Sequence, residues 1–177
     1  ITPKTIIKNI NDITETIESE RNSTVAMLLK LDGVKNPKEK RGLIKEKIKE
    51  ANYIANPGCF ATAIQLGLLP LASKGLLKEV YTTGITGSTG AGQGLAATSH
   101  FSWRANNIQA YKTLQHQHLN EIGESLATLQ GNQNAEVNFV PWRGDFTRGI
   151  FVTSVVASEL SIEDVYAMYD AYYEAHP

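Results

Sequence analysis

The chain carries a single cysteine, Cys59, in 177 residues. One thiol cannot build an internal disulfide framework, so a reducing, cytoplasmic setting is expected. No apolar stretch is long enough to span a bilayer and no segment has the make-up of a signal peptide, so no membrane partner is expected. Charge of one sign is scarce as well. The formal net charge is −1 and charged residues make up 20%, which argues against nucleic acid or an anionic membrane as the main partner. Internal repeats and low-complexity segments are absent. So are a dinucleotide-binding glycine fingerprint in residues 1–50 and the Gly-Lys-Ser/Thr ending of a nucleotide-hydrolase phosphate loop. The first residues, Ile1-Thr2-Pro3, lack a methionine, and the last, Glu174-Ala175-His176-Pro177, close a helix-like run. Both ends read as cut, so a piece of a longer protein is expected.

What is present is ample material for a core, with 42% hydrophobic residues in one domain, or one and part of another. Ile6, Ile10, Ile13 and Ile17 recur at helical spacing and predict an amphipathic helix. Residues 24–29 read as a short strand or helix, and 43–50 as a solvated surface helix. Residues 1–50 hold no catalytic constellation and are read as a helical, charged segment of their own. From 51 to 177 the texture changes to short strands, glycine turns and helices. Strands are expected at 53–55, 80–83, 136–141 and 148–157. Helices are expected from Cys59 to about Ser73, from Leu119 or Asn120 to Leu129, and from a Ser161 capping box to Ala175.

Cys59 sits in Asn56-Pro57-Gly58-Cys59-Phe60-Ala61-Thr62, where an extended segment turns into an apolar helix read as buried. At a helix start, unpaired N–H groups and the positive end of the dipole stabilise a thiolate, the nucleophilic form, and can hold an anion beside it. Elsewhere a lone cysteine packs as a small hydrophobe, so chemistry needs a base, an anion site and a clamp. The glycine-rich run Gly84 to Gly94 offers Gly87, Ser88, Gly90, Ala91 and Gly92 (with Thr89) as a turn whose amides and hydroxyls could cradle oxygen atoms. Such turns are also plain loops. His116 and His118 lie two apart before a helix, so extended backbone would point both to one side. They could serve a cysteine as acid/base, stand as surface residues, or join Cys59 around a zinc ion in a hydrolase. No carboxylate or second cysteine at ligand spacing completes that last set. Arg148, before Gly149 at a strand start, and Arg104 are candidate forks for a carboxylate or phosphate.

Together these residues resemble the N-acetyl-gamma-glutamyl-phosphate reductase family, related to aspartate-semialdehyde dehydrogenase. The resemblance runs through the Asn56–Thr62 segment, Gly87-Ser88-Thr89-Gly90-Ala91-Gly92, His116-Gln117-His118-Leu119-Asn120-Glu121-Ile122 and Arg148-Gly149-Ile150, over roughly 40–177. The implied fold is α+β: a glyceraldehyde-dehydrogenase-like catalytic and dimerisation domain over 51–177, a mixed sheet flanked by helices, C-terminally incomplete. The family's Rossmann half is largely absent from this chain. The resemblance implies Cys59 as the nucleophile that attacks an acyl phosphate, His118 as acid/base with His116 the alternative, and Arg148 as the substrate clamp; Asn56 and Arg104 are further substrate-binding candidates. It implies Gly87, Ser88, Gly90, Ala91 and Gly92 near the nicotinamide of NADPH, no metal, and a homo-oligomer, dimer or tetramer. Thr89 stands where the family has serine, and Leu119-Asn120 replaces a pair ending in proline. The implied reaction is reduction of N-acetyl-gamma-glutamyl phosphate through a cysteine thioester, in arginine biosynthesis. An aminoadipyl or aspartyl phosphate is the nearest alternative substrate.

Overall fold

The computed structural model describes residues 46, 48–52 and 56–174. The expected elements on Ile6 to Ile17, on 24–29 and on 53–55 lie outside them. The chain divides into two units, Ile1–Asn56 with Tyr166–Pro177, and Pro57–Val165. In the first, Glu46, Ile48, Lys49 and Glu50 are helical and exposed, and Lys49 Nζ donates to Glu46 Oε1 at 2.7 Å, as a solvated helix requires.

The second unit is built on a four-stranded mixed sheet. Helix α1 (Cys59–Ala72) leads to β1 (Glu79–Thr86), then to 3-10 turns at Ser88–Ala91 and Ala97–Ser99, and to the short α2 (Phe101–Arg104). Strand β2 (Gln109–Ala110), α3 (His118–Leu129), β3 (Glu136–Arg143) and β4 (Ile150–Val156) follow. Strands lie in the order β2-β3-β1-β4. β1 pairs in parallel with β3, from Glu79↔Glu136 to Thr86↔Arg143, and antiparallel with β4, from Val80↔Val156 to Thr86↔Ile150. The β1–β3 pair requires a long crossover, which α3 supplies. Helix α4 (Ile162–Tyr173) begins in this unit and continues into the other. Ser161 Oγ caps it, accepting the Asp164 N–H at 3.1 Å and donating to Asp164 Oδ2 at 2.7 Å.

Side chains alternate across the pleat, so β1 buries Val80, Thr82, Gly84 and Thr86 and exposes Glu79, Tyr81 and Thr83. Onto the buried face pack Phe60, Ile64 and Leu68 of α1, Ile122 and Leu126 of α3, and Phe139 of β3. Helix α1 is apolar nearly all round, yet it buries one side only, and Leu66 is 54% exposed. The expected burial of this helix holds for the side that carries Phe60, Ala61, Ile64, Leu68 and Leu71, while Leu66 stays exposed. Phe60 fixes where this helix starts. Its ring meets Phe139 edge-on at 5.0 Å, and a Cβ on Gly84 would stand 2.5 Å from its Cε1. Burial of that ring contributes about 1.5–3 kcal/mol and pins the residue that follows Cys59.

Candidate active site

Gly58 is extended (φ −65°, ψ 153°) and supplies no side-chain cap, and the first turn of α1 has no acid. The positive helix end is therefore left uncompensated by its own sequence. The Gly58 carbonyl accepts the Thr62 N–H at 2.8 Å and the Thr62 hydroxyl at 3.0 Å. Its N–H donates to both carboxylate oxygens of Glu121, each at 3.2 Å. A Cβ on residue 58 would lie 2.2 Å from His118 Nε2 and 2.5 Å from Cε1. The imidazole is thus seated against the residue before the thiol, a place only glycine leaves open. Cys59 itself is exposed.

The histidines arrive on a loop fastened to β3. Tyr111 N–H donates to Pro141 O at 3.0 Å and Leu114 N–H to Phe139 O at 2.9 Å. Lys112 (φ 46°) and Leu114 (φ 59°) take left-handed backbone, costly for residues with a Cβ. Gln117 is already helical (φ −58°, ψ −25°), so the histidines are joined by a helix start and not by extended backbone. A turn brings the two rings together, at 4.5 Å between centroids.

The two histidines differ in kind. His116 is 5% exposed, among the rings of Phe60, Phe139 and Tyr111 at 5.7, 5.5 and 5.8 Å. Its Nδ1 accepts the His118 N–H at 3.2 Å, which puts its proton on Nε2. Burial, then His118 and Lys112, push its pKa down to about 4, so it is neutral at neutral pH. His118 is half-buried. Burial lowers its pKa and Lys112 adds to that, while the Glu121 carboxylate opposes both. Its Nδ1 is buried without a hydrogen-bond partner, and its Nε2 is turned to Gly58.

Three residues that no role was assigned from sequence join this corner: Tyr111, Arg143 and Glu121. The Arg143 guanidinium lies 4.9 Å over the Tyr111 ring. Burial raises the Tyr111 pKa, Arg143 offsets it, and the charge of a Cys59 thiolate adds to the rise. Cys59, Tyr111 and Arg143 therefore share one local field. Tyr111 and Glu121 bracket the histidine pair in sequence, a signal that could have marked them. Arg143 had none beyond the glycine that follows it.

The other predicted residues lie elsewhere. In the glycine loop, Gly87, Ser88 and Thr89 donate their N–H groups to Gly149, Phe146 and Thr147 carbonyls at 3.0, 2.9 and 3.1 Å. Gly90 and Gly92 donate to Gly87 and Thr89 within the turn. These amides hold the loop to the segment before β4 and are not turned to a phosphate. Over the loop opens a cavity of about 760 Å³, lined among others by Ser88, Gly92, Ser99 and Trp103. A second, of about 310 Å³, is lined by Ser88, Ser99, Arg104 and Asp145 among others. Cys59 lines neither. The Ser99 hydroxyl is buried without a partner. Arg104 is buried, donating to Arg143 O at 3.0 Å and Gln109 Oε1 at 3.3 Å, with its Nε unpartnered. Arg148 and Asn56 are exposed, and Asn56 belongs to the other unit. Among the described residues no group of three His, Cys, Asp or Glu side chains is placed to share a metal ion.

The sequence profile of the semialdehyde dehydrogenase dimerisation domain matches residues 59–177. The chain belongs to that family. Curated relatives called N-acetyl-gamma-glutamyl-phosphate reductase include one from Flavobacterium johnsoniae, 56% identical over 134 residues (75% of this chain, 41% of the relative). One from Christiangramia forsetii is 51% identical over 133 residues (75% and 41%), and one from Bacteroides fragilis 56% over 124 (70% and 38%). The chain spans about two fifths of the length of these relatives. Among its described residues no helix is long and apolar enough to cross a membrane.

Proposed function

We propose that this domain carries the thiol chemistry of an N-acetyl-gamma-glutamyl-phosphate reductase of arginine biosynthesis. The observation that supports this best is the seating of the His118 imidazole against Gly58, beside an exposed Cys59 at the start of α1. The Cys59 thiolate attacks the acyl carbon of the acyl phosphate; a carbon–sulfur bond forms, the carbon–oxygen bond to phosphate breaks, and inorganic phosphate leaves. NADPH, when bound against the Ser88, Gly92 and Ser99 side of the glycine loop, supplies the hydride for reduction. His118 takes the thiol proton and returns a proton as the thiolate departs and the aldehyde forms. His116, neutral and caged, holds the His118 backbone rather than exchanging protons. Arg148 and Arg104 remain the proposed substrate contacts in this unit, with Arg143 closer to the thiol's field. A cytoplasmic setting goes with this reading.

The test is phosphate-dependent oxidation of N-acetylglutamate semialdehyde with NADP by the protein that carries this domain. Cys59→Ser should cost at least roughly a thousandfold in kcat, and activity that survives the substitution overturns the proposal. We also infer a homo-oligomer. Tyr81, Phe151 and Val155 stand 54%, 66% and 64% exposed on one sheet face, with Tyr81 opposite Val155 and Ile85 opposite Phe151. The dimerisation-domain profile supports a second copy, and the exposed apolar side chains are our reason for choosing this face. Phe151→Glu should lower the mass found by sedimentation, and an unchanged mass refutes that surface.

A further inference from the structure

We propose that the smaller cavity, between α2 and residues 144–147, is a binding site for a small organic carboxylate: Arg104 takes the anion, the Ser99 hydroxyl donates to it, and Phe101 and Phe146 wall its apolar body. The inference starts from a charge without a counter-charge. Arg104 is 5% exposed, yet its hydrogen bonds go to a carbonyl, Arg143 O, and an amide, Gln109 Oε1, and its Nε has none. Among the described residues no carboxylate pairs with it. A buried cation held by neutral acceptors alone is costly. A guanidinium also presents five N–H donors in a fork that matches a carboxylate.

The cavity supplies the room. It measures about 310 Å³, and Arg104 lines it together with Ser99, whose hydroxyl is likewise buried without a partner. Two unsatisfied donors in one cavity wall call for a shared acceptor, and a carboxylate brings two oxygens. Phe101 and Phe146 add apolar surface beside them. Asp145 is the one acid in the lining. It is exposed and its Oδ2 accepts the Asn106 N–H at 2.6 Å, so its charge is spent on a main-chain amide and on solvent, not on Arg104. Ser88 and Ser99 line the larger cavity as well, so the two adjoin. The same chemistry is offered by two sources: the non-reacting carboxylate of the bound acyl phosphate, or a separate small acid. The first source rests on the reductase reading, whereas the site itself does not.

The experiment reads the Trp103 indole by NMR, because Gln109 Oε1 accepts from both Trp103 Nε1, at 3.0 Å, and Arg104 Nη2, at 3.3 Å. In the protein that carries this domain, propionate should shift the indole N–H signal saturably, and propionamide, its neutral isostere, should not. Arg104→Gln should weaken propionate binding at least about tenfold, and Ser99→Ala about three- to tenfold. No saturable shift, or an equal one with propionamide, overturns the proposal. Should Arg104→Gln not fold, Ser99→Ala carries the test, and an affinity equal to wild type overturns the proposal there. Propionate inhibition of the phosphate-dependent oxidation of N-acetylglutamate semialdehyde then tells the sources apart. Competition with the semialdehyde assigns the site to the substrate's own carboxylate, and any other pattern assigns it to a separate acid. Activity that survives Cys59→Ser would remove the reductase reading, while the indole titration still reports on the cavity.

Discussion

Gly58 and Gly87 both stand where no side chain fits, but for opposite reasons. A Cβ at 58 would run into the ring of His118 at 2.2 Å, whereas one at 87 would meet the main chain of Thr147 at 2.6 Å and of Arg148 at 2.8 Å. A ring at the end of two torsions can swing aside. A backbone already hydrogen-bonded to the loop cannot. The first glycine is thus a matter of chemistry and the second of architecture, although both belong to glycine-bearing turns that look equally suited to a ligand in sequence.

Substituting each should separate the two roles. Gly58→Ala should displace the imidazole and lower kcat at least about a hundredfold, since an ångström of misplacement is enough, while Tm stays near wild type. A large loss of Tm with kcat retained would break the contrast. Gly87→Ala should do the reverse and destabilise the fold by about 1–3 kcal/mol in a denaturant titration, leaving the Cys59 alkylation rate unaltered. Should that rate fall with it, the glycine loop and the thiol corner are one site rather than two.

A smaller effect sharpens the difference between the histidines. The His116 pKa is about 4 when folded against 6.5 for the free group, so the unfolded chain binds the extra proton in between. The stability associated with His116 is therefore present above pH 6.5 and is lost as pH falls toward 4, by up to about 1.4 kcal/mol per unit. His116→Phe should flatten the stability–pH curve in that window, and a slope equal to wild type would show that the cage does not hold the ring neutral. The least effect concerns the loop that carries the pair. Leu114→Asn, better suited to left-handed backbone, should raise stability by about 0.5–1 kcal/mol. A net loss would mean that the Leu114 side chain, not its φ, matters there.

The legible part of this protein was its repertoire of local shapes. Strand-like runs at 80–83, 136–141 and 148–157 marked β1, β3 and β4, the Ser161–Asp164 pair marked a helix start that the structure places at Ile162, and the Pro57-Gly58 turn marked the start of α1 at Cys59. The two-residue β2 and the four-residue α2 were missed, because neither is long enough to show a period. The parallel β1–β3 pair was out of reach as well, since no local spacing encodes which strands meet across 50 or so residues. The glycine loop misled in one respect, because composition shows that amides are available without showing that a neighbouring segment occupies them.

Residue types and short spacings thus determined the reactive inventory of the chain: one thiol at a helix start, two histidines before another, and the motifs of the family to which it belongs. Only the tertiary structure decided how these are divided. His116 and His118 are neighbours of the same chemical type, and what sets them apart is that one is enclosed by Phe60, Phe139 and Tyr111, while the other is laid on Gly58 beside Glu121. Burial and the sign of the nearest charge fix a proton's affinity, and both are properties of residues brought from distant parts of the chain.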